Sequence, residues 1–532
     1  MGSSSERLSR GPAAVAAFAK RLSELLANSE QALVESLQRL LLLSALGSLF
    51  YFVFVDYERI GWDVAGYVHA GQEIVRGRVP FVDIVDINPP LVQFLHVPPA
   101  LIAGWASLPQ SFVFNLWVVA WAVLSTLTLD HVLLRFAPDC PSDRRFALVF
   151  GFAFSNHVAW ATGHFGQREH FLVMSLVPAL ALRWARHQGV AIPKLWALVV
   201  GLPAAIVLAI KPQYLGAMVL FELTLLLCHR KVSRLIGFEL TAFALVGLGY
   251  VGLFLAYPGM RREFFGFYLP LIVSGYRVYD CSLRDLIAPT EFWFALGCAL
   301  VSLGAARTRD SFLLRPFALF VVGALFAYLL QGKGWPYQLF PALVLAPLAL
   351  LLVVPLARFV PLLVACAALV VVAEAHAARP KGGLPQEGRF WPLRSAVEST
   401  TLPGDPVLIV STGVLGPYPL QLELQRPPGS RFAWLPMLPM FYPNGDSTDC
   451  VYRHWGEGRP AEQRVLEALK QDIQRRKPVL IAAESGEAGA LRTGCTPSGW
   501  LTESGLLERA MQDYQPVAPV AGFDMWQRKG VR

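Results

Sequence analysis

Charge is what this chain has least of. Charged side chains make up only 16% of its 532 residues, against 55% hydrophobic. Soluble globular domains carry about 25% charged residues, so that class is excluded, as the mean hydropathy of +0.46 also requires. The seven cysteines, at 140, 228, 281, 298, 366, 450 and 495, contain no C-x-x-C pair, which excludes a zinc ribbon or a thioredoxin-type redox motif. No glycine-rich fingerprint follows either of the strand-like runs near the C-terminus, so nucleotide binding has no support. No repeat of fixed period occurs, and the first 37 residues lack the short apolar core and small-residue cleavage site of a signal peptide. The net charge of +8 belongs mainly to loops between apolar runs, and no nucleic-acid partner is read from it.

Long apolar runs are abundant. Twelve lie between residues 38 and 377, most near the roughly 20 residues that span a bilayer. Strict alternation across all twelve would put the basic loops 183–188, 229–234 and 307–310 outside, against the positive-inside rule. Losing one crossing reverses all three, and the run at 90–108 is the place, because Pro98-Pro99 splits it into halves too short to span. The expected architecture is therefore a polytopic α-helical membrane protein. It has about eleven full crossings plus a broken or re-entrant element. Residues 1–37 read as an amphipathic cytoplasmic segment, 38–377 as the transmembrane domain with an interfacial loop at 56–90, and 378–404 as a linker. Residues 405–532 read as a small extracytoplasmic α/β domain. Strands are expected at 406–411, 478–483 and 517–527, with helices at 461–477 and 500–513. Cys450 and Cys495 would then lie in a compartment that permits a disulfide.

The loop at 56–90 organises the rest. Val64, Val68, Gly71 and Val75 recur at helical spacing, Gly77 ends the helix, and Pro80 holds the following segment extended. Such a helix lies along the bilayer surface and holds Asp63, Asp83 and Asp86 just outside it. An early acid at Asp63 is followed by Tyr67 to Ala70, Gly-x-x-Pro-aromatic at Gly77 to Phe81, an acid at Asp83, and Pro89-Pro90-Leu91. This order resembles the first extracytoplasmic loop of GT-C glycosyltransferases, the polyprenyl-phosphate-sugar-dependent enzymes that include protein O-mannosyltransferases and aminoarabinose transferases. The hydrophobic layout extends the resemblance over about residues 38 to 377. Two departures stand out: Val64 follows Asp63 where many members carry a second acid, and Asn88 stands where a basic residue often precedes the prolines.

The resemblance implies sugar transfer from a lipid-linked donor to a glycan, lipid or protein acceptor in the cell envelope. The protein would be multi-pass in the cell (inner or plasma) membrane, with its active face outside. Phosphate leaves as a stable anion, so the protein must supply a base for the acceptor hydroxyl and cations for the phosphate. The resemblance places the base at Asp63, in an inverting transfer. Asp83 and Asp86 either orient the acceptor or bind a divalent cation; no cofactor is required, and metal dependence stays open. Lys333, Lys211, Arg168 and Arg277 are the candidate phosphate ligands. Tyr67, Gln167, Glu169, His170 and Tyr337 share the same face under this topology. Asn88 is expected to cap the next helical segment, and loop 258–290 reads either as a mobile lid or as a plain connector. The rival readings are a flippase or transporter of lipid-linked sugars and a non-catalytic membrane subunit. The few acids near apolar runs (Asp130, Glu222, Glu239) lie toward segment ends, where a transporter would bury them mid-membrane.

Overall fold

A computed structural model of the chain describes residues 36, 38–54, 60–159, 164–306, 314–353, 390–442, 450–486 and 494–530. The expected N-terminal amphipathic segment and the apolar run at 359–377 fall outside these residues. Within them the chain is a helical bundle followed by a domain containing one four-stranded sheet.

Among the described residues four helices are long and apolar enough to cross a membrane: Gln110–Phe136, Pro212–His229, Glu239–Ala256 and Leu314–Gln331. Their outward side chains are large and apolar, among them Leu124, Leu127, Leu223, Leu227, Leu248, Leu255 and Phe326. A surface of that kind fits lipid and not water. Lys194–Ile210, Thr290–Ala305 and Pro336–Leu351 are apolar but shorter, so helix length alone supports fewer crossings than the sequence pattern. Prolines account for part of this: Pro193, Pro289 and Pro336 stand at the starts of these helices.

Arg168–Gln188 is the hub of the bundle, with nearly every residue buried around its whole circumference. A helix buried on all sides needs no polar face. Its polar residues therefore collect at its two ends. At one end Arg183 reaches Glu222 (2.6 Å) and Glu239 (3.6 Å), Arg186 reaches Glu239 (3.0 Å), and His187 reaches Glu222 (3.1 Å). The basic run 183–188 is thus partly an ion-pair network between helices, not merely topogenic charge, and Arg234 of the run 229–234 donates to the His187 carbonyl beside it. At the other end stand Arg168 and Glu169.

The loop helix forms as Trp62–Val75. Gly77, at φ 84°, closes it: its N–H bonds the Ile74 carbonyl (2.9 Å) and the Arg78 N–H bonds that of Glu73 (2.9 Å), a Schellman pattern. The run at 90–108 breaks as expected, into Leu91–Leu95 and Val97–Ala106 with His96 at the joint. Gly71 lets the loop helix press against that joint, since a Cβ there would meet the His96 carbonyl oxygen at 2.5 Å and its carbon at 2.7 Å. Ala favours a helix over Gly by about 1 kcal/mol, but here backbone blocks the methyl group. Gly71→Ala is expected to destabilise the protein by about 1–3 kcal/mol, read as a lower melting temperature in detergent. An unchanged or higher value would mean the two elements do not touch.

In the C-terminal domain β1 (Val407–Val410) pairs parallel with β2 (Leu480–Glu484), and β4 (Phe523–Arg528) joins β2 and β3 (Tyr514–Val520) antiparallel. Strands β1 and β2 are covered on both faces. Leu408, Val410, Ile481 and Ala483 pack on the helix Pro460–Arg476, while Val407, Ile409, Leu480 and Ala482 pack on Leu393 and Val397 of Trp391–Thr400. That second helix lies inside the expected linker 378–404, so the ordered domain begins earlier than the composition suggests. The single strand expected at 517–527 is a hairpin turning at Ala521 (φ 51°) and Gly522 (φ 78°). The helix expected at 500–513 is two, Pro497–Glu503 and Leu506–Ala510, parted by Gly505 (φ 76°). Cys450 and Cys495 form a disulfide across this domain.

Loop 258–290 is mostly helical and packs against the C-terminal domain. Met260, Phe264 and Tyr268 join Phe81 and Val85 in the core of the C-terminal domain. The Tyr279 hydroxyl donates to the Pro436 carbonyl (2.9 Å), and Arg464 pairs with Glu263 (2.6 Å). The loop bearing the acids is gripped the same way: Val85 N–H donates to the Arg431 carbonyl (2.7 Å), and Arg476 to that of Asp83 (2.9 Å).

Candidate functional site

The site forms where the first turn of the loop helix faces the hub helix. Asp63 stands in that turn, where a helix N-terminus favours a carboxylate. The Gln167 side chain lies beside it, and Arg168, Asp86 and Glu169 are within electrostatic reach. Burial raises the Asp63 carboxyl above its ordinary range; Arg168 pulls it down, while Asp86 and Glu169 push it up. Burial likewise raises Asp86, opposed by a hydrogen bond from Asn88 and the charge of Arg168. Carboxylates held in this state are stronger bases than free ones.

Asn88 ties these groups together. Its amide nitrogen donates to the Tyr67 hydroxyl (3.0 Å) and to Asp86 (3.2 Å to each oxygen), and its carbonyl oxygen accepts from Arg168. It does not cap the next helix, whose N-cap is Pro90 and has no side-chain cap. Asn88 instead draws in the guanidinium of Arg168. That guanidinium lies between two aromatic rings, 5.1 Å from the centroid of Tyr67 and 5.8 Å from that of Tyr337. Its Nε has no partner among the described residues.

Lys211 completes the cluster, paired with the buried Glu169 and 5.4 Å from the centroid of Tyr337. Glutamines brace the loops that bring it there: Gln213 and Gln338 each donate to Gln331 (3.0 Å), and the Tyr214 hydroxyl donates to the Gln338 carbonyl (2.9 Å). Asp63, Tyr67, Asp86, Gln167, Arg168, Glu169, Lys211 and Tyr337 are thus brought together. These groups present two cations and three acids around a pair of tyrosines, which suits an anionic ligand beside a hydroxyl that must lose a proton.

Other candidates stand apart. Asp83 accepts from the Val79 N–H (3.0 Å) and faces the C-terminal domain, away from Asp86's contacts. Among the described residues no three His, Cys, Asp or Glu side chains converge as a metal ion would require. His170 packs its ring among His157, Phe165 and Phe340 and accepts from the Gly166 N–H (3.1 Å), a structural place. Arg277 is exposed on a turn. Lys333 bonds Asp280 and the Tyr276 carbonyl (2.8 Å) and lies over the Tyr276 ring at 4.5 Å, so its ammonium fastens two turns together. With Asp280 half exposed, Lys333→Ala is expected to cost about 1–2 kcal/mol of stability and leave donor affinity within about twofold. Thermal denaturation beside donor titration checks this, and a large loss of affinity at unchanged stability would return Lys333 to the phosphate.

No protein-family model matches the chain, and no curated protein matches it significantly.

Proposed function

We propose that the protein is an integral membrane glycosyltransferase. It moves a sugar from a polyprenyl-phosphate-linked donor to an extracytoplasmic acceptor, with Asp63 as general base. The observation that carries this reading is the meeting of raised carboxyls with Arg168 and Lys211 under an amphipathic loop helix. A lipid phosphate would lie against the two cations, with its sugar toward Asp63. The acceptor oxygen attacks the anomeric carbon as its proton passes to Asp63. The carbon–oxygen bond to phosphate breaks, and its electron pair leaves with the polyprenyl phosphate. One displacement inverts the anomeric centre.

The topology belongs to the same proposal. About eleven crossings, with the broken segment 91–106 re-entrant, set the site and the C-terminal domain outside. The Cys450–Cys495 disulfide supports that side. Lipid mass spectrometry on cells lacking the protein tests the function. A polyprenyl-phosphate sugar should accumulate and fall again when the wild-type chain, but not Asp63→Asn, is restored. Restoration by Asp63→Asn as complete as by wild type would instead favour a transporter or an inert subunit.

A further inference from the structure

The loop helix has a second polar side. His69 and Glu73, one turn apart, face away from the charged cluster into a narrow crevice against the C-terminal domain, which Tyr418, Ser430, Arg431 and Arg476 line from the other side. Tyr418 packs on the same helix, its ring 3.8 Å from where a Cβ on Gly66 would be. The His69 and Tyr418 rings lie 5.8 Å apart at 43°.

Two atoms in this crevice are unusual. His69 is 5% exposed and Tyr418 fully buried, yet His69 Nε2 and the Tyr418 hydroxyl have no hydrogen-bond partner among the described residues. Buried polar groups left so cost about 1–3 kcal/mol each, which calls for a ligand group or water at that spot. The nearby charges are already engaged. Arg431 grips Asp472 through Nε and a terminal nitrogen (both 2.9 Å), and Arg476 donates to the carbonyls of Pro428, Ser430 and Asp83. Glu73 pairs with Arg76 (2.6 Å). The two free groups are both neutral. Burial lowers the His69 imidazole to about 4, and it raises the Tyr418 phenol. Two neutral donor–acceptor groups in a space of about one water's size suit a single inserted hydroxyl; an anion would want free cations.

We propose that this crevice is an acceptor subsite, in which His69 Nε2 and the Tyr418 hydroxyl bind a hydroxyl of a neutral carbohydrate. The inference rests on the glycosyltransferase reading and narrows its acceptor to a glycan or a glycosylated molecule. The crevice and the transfer site lie on two sides of one helix, with Tyr418 packing at Gly66, about one turn from Asp63. The C-terminal domain then binds one end of the acceptor while the loop helix carries the base.

Saturation-transfer NMR on the full-length protein in nanodiscs tests this with D-glucose, D-mannose, D-galactose and L-arabinose, and with inorganic phosphate by competition against the donor. At least one sugar should bind saturably. Tyr418→Phe, which removes only the hydroxyl, and His69→Phe, which keeps a ring but loses the nitrogen, should each weaken it about three- to tenfold. Phosphate competition should be unchanged in Tyr418→Phe. No saturable binding by any of the four sugars overturns the proposal, as does sugar binding that neither substitution moves, which would leave the crevice to water only. Donor consumption dependent on Asp63, followed on the same preparation, separates the two ideas. If it persists without sugar binding, the subsite alone fails; if it is absent while Tyr418-dependent sugar binding holds, the transfer reading fails.

Discussion

Asp63→Asn is expected to slow single-turnover sugar transfer by about two to four orders of magnitude while donor affinity stays within a few-fold. Asn keeps the size of the side chain and can still meet Gln167, but it cannot take a proton. The pH profile adds a second readout. Burial raises the Asp63 carboxyl, so the proton stays on to higher pH than for a free aspartate. A base must be ionised to act, so the wild-type rate should climb with pH through that raised pKa, giving an acid limb above the ordinary carboxylate range. Asn at 63 should abolish that limb along with the rate. A variant within a few-fold of wild type would pass the role to Asp86, the other raised carboxyl of the cluster.

Arg168→Gln should cost nearly as much, by another route. The guanidinium is held by Asn88 and two tyrosine rings, and the proposed transfer sets the leaving phosphate against it. Loss of such a fixed donor typically costs about 10²- to 10³-fold in turnover, and here donor affinity should fall too. Arg168→Lys keeps the charge without the planar fork and should recover only part of the loss. Arg168 also lowers the Asp63 carboxyl, so its removal should push the acid limb to still higher pH. Unchanged donor affinity together with an unmoved limb would show that Arg168 is only a brace for Asn88.

The legible parts of the fold were those with one simple physical cause. Strands β1 and β2 are buried on both faces, so they stand in the sequence as unbroken apolar runs. The break at 90–108 follows from two adjacent prolines, and the end of the loop helix from Gly77. The β3–β4 hairpin was hidden because β3 is largely exposed and its turn opens on Ala521, not the usual glycine or asparagine. The helix Trp391–Thr400 was hidden because it follows a Pro/Gly-rich stretch, and only Leu393 and Val397 mark its buried side.

At the site, the polar run at 164–170 was informative. A buried hub helix has no reason to begin with Gln-Arg-Glu unless its end meets other polar groups. Which cation goes where was not readable. Lys333 and Lys211 stand in similar settings, each beside a glutamine, a proline and a tyrosine, yet one is taken by Asp280 on a neighbouring turn and the other by Glu169 inside the cluster. Those partners lie 53 and 42 positions away in the chain, beyond any local pattern. Asn88 was misread for the same reason: its three partners, Tyr67, Asp86 and Arg168, meet only in the folded chain.

The central claim is that the donor's phosphate bond to sugar is broken with Asp63 taking the acceptor's proton. Phosphorus NMR reads that bond directly. Donor lipid extracted from cells lacking the protein would be mixed with membranes from the same cells as acceptor source, and with purified protein in nanodiscs. The account predicts that the phosphodiester signal of the donor gives way to a polyprenyl phosphomonoester with wild-type protein, and about 10²- to 10⁴-fold more slowly with Asp63→Asn. A phosphodiester signal that stays unchanged with wild-type protein, or is converted equally fast by both, would contradict it.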